Sequence, residues 1–168
     1  MTVHPGRLAL AIVLTPGVAA CSDGQPDTTP APSIELDQSG ACGDAYFWAA
    51  NETGDIAVTI TVDARTRSDH APTVIEFERP DDGLRIEMLR GSDLPRNFCN
   101  DVIDLDSEPT STMPATAGSG EIVLEPPIDA ANGCGTTGSV RADGLTAPDG
   151  TTFEPIAITS HSIGCYAG

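Results

Sequence analysis

Apolar and polar positions alternate along much of the chain, and the alternation predicts β-strands. The clearest segment is 56–62, where β-branched residues at every second position are separated by smaller or more polar ones: Ile56, Val58, Ile60 and Val62 against Ala57, Thr59 and Thr61. A period of two with β-branched residues on one face is typical of a half-buried strand. We therefore predict a strand over this segment.

A second alternating region predicts a hairpin over residues 75–88. Apolar residues recur at every second position on both sides of the turn-forming residues 80–83: Ile75 and Phe77 before them, and Leu84, Ile86 and Met88 after them. Pro, Asp and Gly are favoured in such turns. Pairing Phe77 with Ile86 and Ile75 with Met88 places all apolar side chains on one face, as a register requires.

The last third of the chain predicts a long hairpin from Gly135 to Tyr166. Pro148-Asp149-Gly150 has the chemistry of a three-residue loop, which places Ala147 opposite Thr151, Ala142 opposite Ile156 and Val140 opposite Ile158. The apolar phase then shifts by one position near residues 160–162, which predicts a β-bulge there. With that shift, Cys134 falls opposite Cys165.

The remaining elements are short. A strand is expected over residues 121–125, a loop over 107–120, and one or two helical turns in 92–106, capped by Asp93 and with Leu94, Phe98 and Val102 on one face. The total is six or seven strands with turn signals at the spacing of an all-β protein. The predicted fold is an immunoglobulin-like β-sandwich.

The first residues predict export and lipid attachment. Arg7 precedes an unbroken apolar run from Leu8 to Leu14, and Val18-Ala19-Ala20-Cys21 follows. A positive residue, a short apolar core and small residues before the cleavage position define a signal peptide. A cysteine just after that position is the lipobox pattern of bacterial lipoproteins, so Cys21 is the predicted lipidation site. The expected location is the extracytoplasmic face of the cell membrane, with the membrane as a partner through the acyl anchor.

The expected division of the chain follows from this. Residues 1–20 are the signal peptide, and residues 21–40, rich in Pro, Ser, Thr and Asp, are a flexible tether. Residues 41–168 are the folded extracytoplasmic domain. This segment has the length of about one domain, which is sufficient to bury a hydrophobic core.

The net charge of the chain limits the classes of molecule that are expected to bind it. The formal net charge is −17, and all eight basic residues are arginine. Nucleic acid is not an expected partner, because its phosphates repel such a surface. The acidity is in keeping with an exported domain that stays soluble.

Four cysteines remain after Cys21, and an even number in an exported chain indicates disulfides. The register of the last hairpin pairs Cys134 with Cys165, which leaves Cys42 to pair with Cys99. The spacing lacks the close pairs of a zinc site. We expect no metal on these thiols and no cofactor.

Three other sets of residues could carry chemistry. Carboxylates at Asp101, Asp104, Asp106 and Glu108 could bind calcium, but a solvated acidic edge is preferred, with Val102, Ile103 and Leu105 as core. A hydrolase would need His70 or His161 beside a nucleophile, and Gly118-Ser119-Gly120 is not a nucleophile elbow. Trp48 adjoins a strand, which favours core packing over an exposed sugar platform. We therefore do not expect an enzyme.

Both ends of the folded part and one internal segment resemble a known family. The segments 41–50 (ACGDAYFWAA), 97–102 (NFCNDV) and 162–168 (SIGCYAG) are similar to small lipoproteins of actinobacteria, to which no activity is assigned. The resemblance implies the lipid anchor and the disulfides, and it implies no catalytic residue. The expected function is a binding or cell-envelope interaction module with an unknown envelope protein or ligand as partner. A calcium-binding envelope domain is the first alternative and a hydrolase the second.

Overall fold

The computed structural model describes residues 33–43, 45–63, 68, 70–79, 83–127 and 136–163. Within these residues the chain forms eleven strands and two 3₁₀ turns, Leu94–Asn97 and Leu105–Ser107. The strands are β1 (Ser33–Ile34), β2 (Gln38–Cys42), β3 (Tyr46–Ala50), β4 (Ile56–Val62), β5 (Thr73–Phe77), β6 (Leu84–Arg90), β7 (Ser111–Pro114), β8 (Ala117–Leu124), β9 (Thr136–Thr146), β10 (Thr152–Phe153) and β11 (Ile156–Ile163).

The strands form two sheets that pack face to face. In the first sheet the order is β1-β10-β9-β8-β5, and β11 pairs with β9. In the second sheet the order is β2-β3-β4-β6-β7. All the strand pairs are antiparallel except β1 with β10. The all-β sandwich predicted from the alternation is confirmed, with more strands than the expected six or seven because several are only two to five residues long.

A main core fills the space between the sheets. The second sheet contributes Phe47, Val58 and Ile60, and the first contributes Ile122 and Val140, all with at most 2% of their surface exposed. Successive side chains of a strand point to opposite faces, so only alternate residues reach this core. Its removal from water is the largest stabilising contribution to the fold.

Two of the predicted strand patterns are confirmed. Strand β4 spans 56–62 as the alternation indicates. In the last hairpin, Ala147 N donates to Thr151 O over 2.9 Å, and Val140 lies opposite Ile158. The register shifts by one between Ser160 and Ile163, which is the predicted bulge. Cys134 and Cys165 lie outside the described residues, so their pairing stays a prediction.

The predicted hairpin over residues 75–88 is wrong. Strand β5 pairs with β8 in the first sheet, whereas β6 pairs with β4 and β7 in the second. Phe77 and Ile86 do share a hydrophobic environment, but they enter the main core from opposite sheets. The alternation thus indicates correctly which side chains are buried, but does not identify the neighbouring strand.

The predicted loop over 107–120 and the boundary of the tether also need correction. Residues 111–114 form β7 and β8 begins at Ala117, although their Ser, Thr and Gly content is that of a loop. Strand β8 needs glycine at position 120, because a Cβ there would lie 2.1 Å from Arg141 O. At the front, β1 and β2 include residues 33–34 and 38–40, which belong to sheets and not to a tether.

Candidate binding surface

The connection between β6 and β7 is far longer than the two strands require. These neighbours are antiparallel, and Arg90 pairs with Ser111. Two to five residues would be enough to join them. The chain instead uses residues 91–110, which we call the 91–110 loop, before Thr110 N donates to Arg90 O over 2.8 Å. Ordered loops of such length are uncommon in compact domains and are usually functional.

The inner side of this loop covers the outer face of the second sheet. Leu94 is fully buried and packs with Ala50, Ala57 and Leu89, and Trp48 and Phe98 lie against this group. We call these six residues the outer cluster. Because Ala57 and Trp48 alternate with main-core residues along their strands, the outer cluster lies on the opposite face of the sheet. Strand β4 is therefore buried on both faces, where the sequence predicts one.

Aromatic contacts fix the end of the outer cluster. The ring of Phe98 lies 5.2 Å from that of Trp48 and 6.1 Å from that of Tyr46, between ring centroids. The indole of Trp48 lies directly over Gly40, where an added Cβ would be 2.8 Å from Cζ2. Trp48 is thus packed against the protein as expected, but in the outer cluster beneath the 91–110 loop. Its Nε1 is buried and has no hydrogen-bond partner among the described residues.

A disulfide joins the 91–110 loop to the sheet. Cys99 pairs with Cys42, with a Cα–Cα distance of 5.6 Å, as predicted. Cys42 is the last residue of β2, and Cys99 follows the first 3₁₀ turn directly after Phe98. Cys99 has a φ of 58°, a left-handed conformation that is uncommon for residues other than glycine. The crosslink keeps Phe98 and its neighbours on the sheet.

Hydrogen bonds close the outer part of the loop. The side chain of Asn97 donates to Asp104 O and accepts from Asp104 N, both over 2.8 Å. The carboxylate of Asp104 also forms an ion pair with Arg96, with Nε and Oδ2 2.9 Å apart, and accepts from Asp106 N. Asn100 accepts from Val102 N over 3.2 Å. These bonds hold residues 98–106 as a defined excursion.

Three apolar side chains point into solvent from this excursion. Val102, Ile103 and Leu105 are 72%, 66% and 76% exposed, and we call them the apolar patch. The expectation that they belong to the core is wrong. Leu94 and Phe98 already fill the space against the sheet. Val102 and Ile103 lie in the part of the loop closed by the Asn97–Asp104 bonds, and Leu105 follows Asp104 at the start of the second 3₁₀ turn. Val102 consequently does not share a face with Leu94 and Phe98, and Asp93 makes no side-chain cap to the turn.

The acidic residues of the 91–110 loop include the four weak calcium candidates from the sequence. Within the described residues, no three His, Cys, Asp or Glu side chains come together in a way that could hold a metal ion. Asp104 is engaged with Arg96, and Asp101, Asp106 and Glu108 are exposed. The weak calcium candidates are thus not brought together, and along the chain they flank the residues of the apolar patch.

The turn between β3 and β4 supports the base of the loop. Gly91 N donates to Asp55 O over 3.0 Å, and Leu94 N donates to Gly54 O over 2.8 Å. Within the turn, Thr53 and Asn51 donate to the carboxylate of Asp55, and these hydrogen bonds lower its pKa below the ordinary 3.8. Asp149 has a lowered pKa as well, through bonds from Thr151 and a smaller effect of Arg90.

The other expected chemical groups lie apart from this surface. His70 is exposed in the segment before β5, and the side chain of His161 lies outside the described part. Ser119 lies within β8, with no strand-turn-helix arrangement around it. The proposed lipidation site, Cys21, is also outside the described residues. In the part of the chain that the structure describes, no helix is long and apolar enough to cross a bilayer.

Comparison of the chain with protein-family models, curated proteins and solved structures finds no match. The resemblance to small actinobacterial lipoproteins therefore stays a prediction from the sequence. The 91–110 loop is the feature of the described structure that bears on binding.

Proposed function

We propose that this protein is an extracytoplasmic, lipid-anchored binding module of the cell envelope, and that its contact surface is the apolar patch. One observation carries the proposal. Four large apolar side chains are exposed among the described residues, and three of them, Val102, Ile103 and Leu105, lie within four positions of one ordered loop. Single exposed apolar residues are ordinary, whereas grouped ones on an ordered surface indicate a contact site.

The construction of the loop favours recognition over a structural role. The contacts of Leu94 and Phe98 and the Cys42–Cys99 bond already secure the loop to the sheet. The apolar patch adds nothing to that attachment, because its side chains face solvent. Burying each of them against a partner would contribute roughly 1.5 to 3 kcal/mol at most, before the cost of association. A patch that is already ordered before binding loses little conformational entropy when it binds.

The anchor in this proposal is supported by the sequence around Cys21. Val18-Ala19-Ala20-Cys21 follows a short apolar run, and an acylated cysteine there would hold the domain at a membrane. The chain should partition into the detergent phase when it is expressed in a bacterium, and a Cys21→Ser variant should stay in the aqueous phase. Equal partitioning of the two would remove the anchor from the proposal and leave the binding surface untouched.

Site-specific photo-crosslinking tests the binding surface. A benzophenone amino acid at position 103 should give one defined adduct in the envelope of the bacterium that carries this gene. The same amino acid at position 74 is the matched control, because Val74 is the fourth exposed apolar side chain and lies on β5. Adducts of the same mass and yield at both positions, or none at position 103, would be evidence against a contact at the apolar patch.

A further inference from the structure

We infer that the partner of the apolar patch is a protein surface with an apolar groove bordered by arginine or lysine. This inference rests on the proposed function and specifies the chemistry of the partner. The charged residues that flank the three apolar side chains along the chain define that chemistry.

Carboxylates are interspersed among the apolar residues of the patch. Asp101 precedes Val102, Asp104 separates Ile103 from Leu105, and Asp106 and Glu108 follow. Every residue that directly adjoins the patch residues in sequence is therefore acidic or itself part of the patch. A groove that takes the apolar side chains must bring its rim close to these carboxylates.

The loop has one cation, and it is already engaged. Arg96 pairs with Asp104 over 2.9 Å and lies 3.9 Å from Asp93. Asp101, Asp106 and Glu108 are exposed and have no cation bonded to them in the described structure. The field around the patch is therefore negative, in a chain whose formal net charge is −17.

Two kinds of occupant conflict with this charge. A neutral groove would remove water from the three carboxylates without offering a counter-charge, which costs free energy. An anionic lipid surface would repel them. A basic rim avoids both penalties, and complementary charge also raises the association rate at low salt.

Three synthetic amphipathic peptides test the inference. They share one leucine face and carry arginine, glutamine or glutamate on the polar face, and each has a fluorophore for anisotropy. The protein is the full chain in a Cys21→Ser background, which removes the acyl chains. We expect the arginine peptide to bind at least tenfold more tightly than the glutamine peptide at low salt, and the glutamate peptide to bind least.

Two variants and one control separate the two parts of the surface. Val102→Ser with Ile103→Ser and Leu105→Ser should weaken binding of the arginine peptide at least tenfold. Asp101→Asn with Asp106→Asn and Glu108→Gln should reduce the preference for arginine and the salt dependence to a few-fold. Val74→Ser should bind as the parent does. Unchanged thermal melting and Trp48 fluorescence show that each variant is folded.

Each other result has a defined meaning. Equal binding of all three peptides through the patch would overturn the basic rim and leave the proposed function standing. If the arginine peptide binds the triple serine variant as tightly as it binds the parent, the binding reflects diffuse attraction to an acidic chain. That result would overturn the inference. No patch-dependent binding of any peptide would count against both. Patch-dependent binding to phosphatidylcholine vesicles, with or without phosphatidylglycerol, would replace the protein partner by a membrane.

Discussion

The main core and the outer cluster lie on opposite faces of the same sheet, and they are closed in different ways. The main core lies between two sheets and includes Phe47, Ile60 and Ile122. The outer cluster is covered by a single loop that contributes Leu94 and Phe98. A sheet covers its neighbour with many paired strands, whereas a loop has few backbone bonds of its own and needs other attachments.

Those attachments are covalent and polar in this protein. The Cys42–Cys99 bond, the Asn97–Asp104 hydrogen bonds and the contacts to the β3–β4 turn take the place of a second sheet. The main core therefore stabilises the fold, whereas the outer cluster positions the apolar patch. Four changes test this division of roles between the two clusters.

The largest effect is expected from Phe47→Ala in the main core. Phe47 is fully buried on β3, between β2 and β4. Truncation of a buried phenylalanine costs about 3 to 5 kcal/mol, and we expect the upper half of that range because strands enclose the site on both sides. Urea denaturation should show one transition at lower denaturant with an unchanged slope. A loss below about 1 kcal/mol would show that the main core is not the principal source of stability.

Removal of the disulfide should come next in size. Cys42 and Cys99 are 57 positions apart, and a crosslink over that span contributes about 4 kcal/mol in the chain-entropy model. Cys42→Ser with Cys99→Ser should therefore destabilise the domain by up to about that amount. Hydrogen exchange should rise most in the 91–110 loop and much less in β4. Equal exchange increases in both regions would mean that the two clusters unfold as one unit.

Phe98→Ala is the matched counterpart of Phe47→Ala in the outer cluster. Phe98 is half-buried, with its ring 5.2 Å from Trp48, so the same truncation should cost about 2 kcal/mol. Trp48 fluorescence should shift to longer wavelength, because the indole becomes more exposed to water. A cost equal to that of Phe47→Ala would remove the proposed difference between the two clusters.

The sequence predicts the final hairpin well because local chemistry determines its register. Proline and glycine in Pro148-Asp149-Gly150 impose one loop length, and the apolar residues then align without further information. The bulge is predicted because a change of apolar phase is visible in the chain itself. Contacts between residues close in sequence, or joined by a tight turn, can be read in this way.

The sequence fails where the answer depends on distant parts of the chain. The apolar pattern at Phe77 and Ile86 fits two arrangements equally well: neighbours on one face of a hairpin, or residues of two sheets that face each other in a sandwich. Only the pairing of β5 with β8 decides between these arrangements. Strand β7 consists of residues with loop-like composition, and it forms a strand because it pairs with β6. The glycine at position 120 is a signal that could have indicated close strand packing in β8.

The sequence predicts only part of the candidate surface. The Cys42–Cys99 pair is confirmed, and Asp101, Asp106 and Glu108 are exposed as the preferred acidic edge requires. The prediction that Val102, Ile103 and Leu105 belong to the core is wrong. Apolar character alone does not distinguish a core residue from a contact residue. The available signal was the carboxylate at nearly every second position, which is unusual for buried sequence and typical of an exposed edge.

The smallest effect is expected from acid acting on the turn that supports the 91–110 loop. The pKa of Asp55 is lowered by the hydroxyl of Thr53 and then by the side chain of Asn51. A carboxyl with a lower pKa in the folded state stabilises that state above its unfolded pKa, and the contribution is lost as the pH falls through the folded pKa. The loss therefore occurs below about pH 4, where Asp55 gains a proton and its bonds weaken.

Because Asp55 O accepts from Gly91 N and Gly54 O accepts from Leu94 N, the two loop amides should report the change. In an NMR titration from pH 6 to pH 2.5, both amide signals should move with a midpoint below 3.8, and Asp55→Asn should abolish the movement. Asp149→Asn is the control, because it removes the other lowered pKa and leaves this turn intact. A titration midpoint above pH 3.8, or the same movement of the amide signals in Asp55→Asn, would show that protonation of Asp55 does not affect the loop through this turn.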